Sequence, residues 1–312
     1  MNKPIVSVSI TAYNHEQMLP IAIESVLRQE VDFPIEIVIG EDCSKDETAS
    51  IARAYQQKYP NVIRLNVNET NQGCQSNTYQ TLNNCKGKYT AWLDADDFWT
   101  DPRKLARQVA ALEADPTLMI CCHYVRWVTP QGEVRRSQYP DLPPGRYGIE
   151  DILRKCLIAT PSAMFRTGIH RLLPLWYLRR DAPLSDWPLW VMAAQQGDIL
   201  LLGADMADYV LAPNSELTAK GDLHWYATDA RFYDCIEPHI PEALRPLLRA
   251  EKGKRYENMM FALCDQERFA EARWAALRAF VAPGLTVDLK RKSRVALSGM
   301  VRNLRAIAKP IR

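Results

Sequence analysis

The sequence predicts an α/β protein with a doubly wound, mixed but mostly parallel sheet, followed by a C-terminal helical appendage. Three observations carry this. Over residues 1–115 short apolar runs alternate with stretches of helical spacing, the pattern of a sheet with helices on both faces. Three of these runs lead directly into polar segments, two of them acidic, and such sheets bind ligands at the carboxyl ends of their strands. From about Leu223 the apolar spacing is helical with no further strand signal.

The elements follow in order. Ile5–Ile10 alternates apolar residues with serine, a strand signal, and ends at Thr11-Ala12-Tyr13-Asn14. Leu19, Ala22, Ile23, Val26 and Leu27 recur at helical spacing between Glu16 and Gln29. Ile35–Gly40 is a second strand. Ser44 with Glu47 three residues on matches a capping box, so the next helix is expected to start at Ser44. Asn61–Val67 is a third strand, a helix runs from about Ser76 to Cys85, and Tyr89–Leu93 is a fourth strand. Beyond Pro116, Met119–Val128 and Glu133–Tyr139 flank a turn at Thr129–Gly132 and predict a hairpin. Ala163–Phe165, Ile199–Leu202 and Tyr209–Leu211 are short strands. Glu242–Cys264 and Glu267–Val281 form a helical pair.

Composition narrows the function. The chain has 312 residues, 47% of them apolar and 24% charged, enough to bury a sizeable core rather than stay disordered. No apolar run reaches the roughly 18 residues that span a bilayer. The N-terminus lacks a secretory pattern. The eight cysteines show no Cys-x-x-Cys spacing, so neither a zinc site nor a disulfide framework is indicated. Reduced, mostly buried thiols in a cytoplasmic protein are expected. The net charge of +2 is uneven: residues 286–312 carry eight bases against Asp288, leaving the body acidic. That does not suggest a general nucleic-acid binder, whose body would normally hold the basic patch.

Four segments carry chemistry. In Leu93-Asp94-Ala95-Asp96-Asp97-Phe98-Trp99 three carboxylates crowd together after a strand. Their repulsion favours a cation, and an all-oxygen cluster suits Mg²⁺ or Mn²⁺ shared with substrate phosphates; the plainer role is an acidic turn before the next helix. Asp42 directly follows the second strand, where a carboxylate can bind a base or ribose, while Asp46 and Glu47 suit a helix start. Asn71-Gln72-Gly73 is a turn. Asp186 opens the aromatic segment Trp187-Pro188-Leu189-Trp190, a position that by itself suits a helix start. Neither a Gly-x-x-x-x-Gly-Lys-Ser/Thr nor a Gly-x-Gly-x-x-Gly pattern is present, which argues against P-loop nucleotidases and nicotinamide dehydrogenases.

From about Pro4 to Ala219, the segments Val6–Asn14, Glu41–Thr48, Gly87-Lys88-Tyr89, Leu93–Trp99 and Asp186–Trp190 together resemble the family 2 glycosyltransferases of the GT-A fold. The resemblance implies an inverting transferase that uses a nucleoside-diphosphate sugar and a divalent cation. Thr11, Ala12, Tyr13 and Asp42 match positions that hold the nucleoside. Asp94, Asp96 and Asp97 match the Asp-x-Asp-Asp segment, with Asp94 and Asp96 toward the donor and Asp96 and Asp97 toward Mg²⁺ or Mn²⁺. Asp186 matches the catalytic base. The implied domains are residues 1–220 for transfer (1–115 nucleotide-binding, 116–220 acceptor), 221–285 for the helical appendage and 286–312 for a basic amphipathic tail.

The resemblance also implies assembly of a surface polysaccharide or lipid-linked glycan, with a glycan or lipid-linked acceptor. Two departures stand out. The family's Tyr-Arg-x-His-x-x-Ser segment reads Tyr209-Val210-Leu211-Ala212-Pro213-Asn214-Ser215, so Ala212 replaces a metal-side histidine, for which His224 is a candidate substitute. The family's Ala-Arg-Asn after the Asn-x-Gly turn is also missing, and only Asn77 stands near it. A non-catalytic sugar-nucleotide or glycan binder and a sugar nucleotidyltransferase are the alternatives. In the tail, Leu297, Met300, Val301, Leu304, Ile307 and Ile311 make an apolar stripe flanked by Arg294, Arg302, Arg305 and Lys309. This is the pattern of a helix that docks peripherally on an anionic membrane.

Overall fold

Strand β1 (Val6–Ala12) lies between two parallel neighbours, β2 (Ile35–Glu41) and β4 (Tyr89–Asp94), with β3 (Ile63–Val67) parallel outside β2. All seven residues of β1 are buried, the serines as well as Val6, Val8 and Ile10. Parallel strands are covered on both faces because their connections are helices. These are α1 (Leu19–Leu27), α2 (Thr48–Lys58) and α3 (Cys74–Asn83). The computed structural model describes residues 3–137, 142–211 and 220–281.

The small residues have local causes. Ser7 Oγ donates to Glu36 Oε1 (2.6 Å) and accepts from the Lys86 and Gly87 amides. A Cβ on Gly87 would stand 2.6 Å from the Ser7 nitrogen, so only glycine lets the chain enter β4 here.

Past β4 the sheet becomes mixed. The pairing continues β4–β9–β6–β10–β5, where β5 is Phe98–Trp99, β6 Leu118–Val128, β9 Met164–Arg166 and β10 Asp198–Val210. β6 and β10 are parallel, and the other pairs in this run are antiparallel. β7 (Val134–Ser137) pairs with β6, and β8 (Gly145–Tyr147) with β10. Helix α4 (Lys104–Ala114) follows β5, and α5 (Ile149–Arg154) and α6 (Trp187–Ala194) lie between the later strands.

Several expectations change. The separate strands at Ile199–Leu202 and Tyr209–Leu211 are one strand, β10. Its register with β6 shifts between Leu202 and Asp205 and again before Ala207, so pairing runs through a bulge that breaks the apolar pattern. The capping box at Ser44 is not formed: α2 starts at Thr48. Ser44 Oγ instead accepts the Asn14 amide, and Asp46 Oδ1 takes the Thr48 amide and hydroxyl. No cysteine is in a disulfide, but only Cys85, Cys121 and Cys122 are buried and Cys74 is exposed, so the thiols are not mostly buried.

A second compact unit covers residues 220–281. It contains α7 (Asp222–Ile236), α8 (Arg245–Asp265) and α9 (Phe269–Val281). Met260, Leu263, Ala272 and Ala275 form one apolar cluster, and Ala230, Tyr256 and Ala279 another. No helix of the described residues is long and apolar enough to cross a membrane. The tail 286–312 and Ala212–Ser215 lie outside the described residues.

Candidate active site

The register of the parallel strands builds the site. Thr11 pairs with both Gly40 and Asp94, and Ala12 with Glu41. The carboxyl ends of β1, β2 and β4 therefore share one rim. Thr11 Oγ1 donates to Asp94 Oδ1 at 2.7 Å, and the Trp92 indole donates to the same oxygen at 3.1 Å. The Thr11 hydroxyl is thus committed to aiming Asp94. Ala12 is buried at the strand end, and the Tyr13 ring is 38% exposed beyond it.

After β4 the chain turns sharply. The Asp97 amide donates to the Asp94 carbonyl, and the Ala95 amide to the Thr11 carbonyl. The turn separates the acids. Asp97 is 2% exposed, and its Oδ1 accepts the Val210 amide at 2.9 Å, which pins the end of β10 behind the rim. Asp96 keeps a side chain 32% exposed. Burial, with Asp96 beside it, pushes Asp94 up to about 7, and burial with Asp96 likewise raises Asp97 well above the ordinary carboxylate range. Carboxylates that resist ionisation together are poised for a cation.

Asp186 is the N-cap of α6, with Oδ1 accepting the Trp187 amide at 2.7 Å. Burial raises its pKa, and the Trp187 amide holds it back. Burial raises the Tyr209 hydroxyl well above its ordinary range, and the charges of Asp97, Asp96, Asp94 and Asp186 add to that rise. Tyr209 opens the segment that departs from the family's Tyr-Arg-x-His-x-x-Ser pattern.

Asp42 is 2% exposed. Its Oδ1 accepts from the Asn68 side chain (2.9 Å) and the Gln72 amide (2.8 Å), and Oδ2 from the Gly73 amide (2.9 Å). It therefore shapes the loop before α3. Asn71-Gln72-Gly73 is a turn held by this carboxylate, with Gly73 at φ 86°. Asn77, considered for the diphosphate, is buried: Nδ2 donates to the Gly40 carbonyl (2.9 Å) and Oδ1 accepts from Asn68 (3.2 Å). Its polar groups are used inside the protein and are not offered to a ligand.

Among the described residues no three His, Cys, Asp or Glu side chains converge as a metal cage. The donor set instead suits a hard cation that keeps few protein ligands and completes its shell with phosphate oxygens and water.

The profile of Glycosyl transferase family 2 matches residues 7–173. An uncharacterized protein of Mycobacterium tuberculosis is 33% identical over 257 residues, 80% of this chain and 69% of that protein. An uncharacterized glycosyltransferase of Methanocaldococcus jannaschii is 29% identical over 197 residues, 61% of this chain and 65% of that protein. Among solved structures, the mannosyltransferase PcManGT from Pyrobaculum calidifontis, in complex with GDP-Man and Mn²⁺, superposes with a TM-score of 0.61 at 19% identity, covering 99% of this chain and 82% of that one. S. aureus TarS 1–349 in complex with UDP-GlcNAc gives 0.56 at 16% identity, covering 88% and 89%. At these identities the two structures bear on the fold alone.

Proposed function

This chain belongs to glycosyl transferase family 2, and from that premise we propose that it moves a sugar, with inversion, from a nucleoside-diphosphate donor to an acceptor hydroxyl. The observation that carries the proposal is the rim at the carboxyl ends of β1, β2 and β4, where Thr11 aims Asp94 and Asp96 stays partly exposed. In this reading the exposed Tyr13 ring stacks on the base, with Ala12 lying beneath it. Asp42 holds the loop that faces the nucleoside and accepts from it. Asp94, aimed by Thr11, meets the ribose. Asp96 faces the diphosphate and, with Asp97, the cation, while Asp97 Oδ1 anchors β10 through the Val210 amide.

A bound Mg²⁺ or Mn²⁺ would supply charge neutralisation as the diphosphate departs. Asp186 removes the proton from the acceptor hydroxyl as that oxygen attacks the anomeric carbon from the face opposite the leaving group. The bond from that carbon to the phosphate oxygen breaks, and the nucleoside diphosphate leaves. One base suffices because no glycosyl-enzyme bond forms, unlike a retaining glycosidase. The raised pKa of Asp186 makes its carboxylate more basic than an ordinary one.

We assign the product to surface polysaccharide or lipid-linked glycan assembly, with the basic tail 286–312 making peripheral contact with an anionic membrane. A screen of nucleotide sugars with and without Mn²⁺ tests the activity. Cation-dependent release of free nucleoside diphosphate supports transfer, pyrophosphate release identifies a nucleotidyltransferase, and binding without turnover identifies a binder.

A further inference from the structure

We propose that His15 is a protein ligand of the cation site, paired with Asp96, and that it biases the site toward Mn²⁺ over Mg²⁺. The proposal rests on the glycosyl-transfer reading above. His15 Nε2 stands 3.9 Å from Asp96 Oδ2, with the two side chains 31% and 32% exposed. That separation is too long for a hydrogen bond, which for N–H···O closes at about 3.2 Å. Two ligands each about 2.1 Å from an octahedral cation sit roughly 3 Å apart, so shared coordination needs these two partly exposed side chains to close by about 1 Å through rotamer adjustment.

The imidazole has no other use inside the protein. Its Nδ1 is buried and has no hydrogen-bond partner among the described residues, so Nε2, on the side of Asp96, is the ring nitrogen open to a ligand. The backbone, by contrast, is tightly held. Asn14 takes a left-handed conformation at φ 57°, a region asparagine enters more readily than most residues, and its surroundings hold it there. The enforcement comes from the segment before α2. The Asn14 amide donates to Ser44 Oγ (2.9 Å), and the Lys45 amide to Asn14 Oδ1 (2.8 Å). The His15 amide donates to Thr48 Oγ1 (2.8 Å), and the Glu16 amide to Asp46 Oδ2 (3.1 Å). The fold thus fixes the residue that presents the ring and leaves the ring itself uncommitted, at the edge of the acidic turn.

Imidazole is a softer donor than carboxylate and raises affinity for transition metals more than for Mg²⁺. A site with His15 and Asp96 therefore favours Mn²⁺, whereas a site of carboxylate and phosphate oxygens alone would not discriminate in this way.

Pulsed EPR of Mn²⁺ bound to the full chain with UDP or GDP tests the assignment. The chain has five histidines, so nitrogen coupling is traced by single substitutions. Wild type is expected to show coupling that His15→Ala and His15→Gln both abolish and His224→Ala preserves. Mn²⁺ affinity should fall at least about tenfold in the His15 variants, since even outer-shell partners cost that much, and the preference over Mg²⁺ should shrink. Metal-free affinity for the diphosphate should not change. Bound Mn²⁺ without nitrogen coupling, or coupling that survives in both His15 variants, overturns the role of His15 and leaves the transfer reading intact. Failure of wild type to bind Mn²⁺ with either diphosphate overturns the role of His15, whereas no release of nucleoside diphosphate in the donor screen overturns the transfer reading.

Discussion

Replacing Asp94 with Asn separates the electrostatic burden of the acidic turn from its architecture. Burial and the neighbouring Asp96 lift Asp94 from 3.8 to about 7. The folded protein therefore holds a proton that the unfolded chain has already released between those values. Stability from this group is fully present below pH 4, declines as pH rises, and levels off above about pH 7. At 1.36 kcal/mol per pH unit, the burden at pH 8 is about 4 kcal/mol. Asparagine carries no such charge, and its amide oxygen can still accept from both Thr11 and Trp92. In metal-free protein, Asp94→Asn should raise the melting temperature at pH 8 by on the order of 10 °C, taking about 2–4 °C per kcal/mol for a domain of this size. The difference should vanish near pH 4. Thermal unfolding followed by circular dichroism from pH 4 to 8 gives both curves. Parallel curves would refute the reasoning, because they would mean that Asp94 ionises in the native protein as it does in water.

The remaining predictions concern the base, β10 and the tail. Asp186→Asn should lower kcat by about 10²–10⁴ with donor affinity by calorimetry unchanged. Because the pKa of Asp186 is raised, wild-type activity should fall on the acid side at a pH above the ordinary carboxylate range; normal turnover by the variant would make Asp186 a helix cap only. Asp97→Ala leaves the Val210 amide buried without its acceptor and should cost about 1–3 kcal/mol in urea unfolding. Asp97→Asn keeps the acceptor and should not, so equal losses would place the effect elsewhere. A chain ending at Val287 should lose co-sedimentation with acidic liposomes, and full-length binding should weaken with salt; equal sedimentation removes the membrane role.

The order of motifs along the chain was enough to predict the α/β class, the four parallel strands and the acidic turn, because these depend on local periodicity and on which residues follow a strand. Asp94, Asp96 and Asp186 were legible as candidates for the same reason, since each stands beside a strand or helix end that the sequence marks. The capping box at Ser44 misled because Ser, Thr and Asp compete for backbone amides. The winner was Asp46, through bonds to Thr48 and across to Glu16.

What only the tertiary structure decided was how three neighbouring carboxylates divide their work. A turn of four residues points Asp97 inward to Val210, on a strand far along the chain, and leaves Asp96 outward. No local pattern encodes that choice, because it depends on where β10 pairs. The same holds for His15 beside Asp96. Side chains from distant segments meet there because parallel strands bring their carboxyl ends to one rim. The sequence by itself determined which residues could do the chemistry, through residue type and strand position. Long-range strand pairing determined which of them stay partly exposed at the rim and which hold the fold behind it.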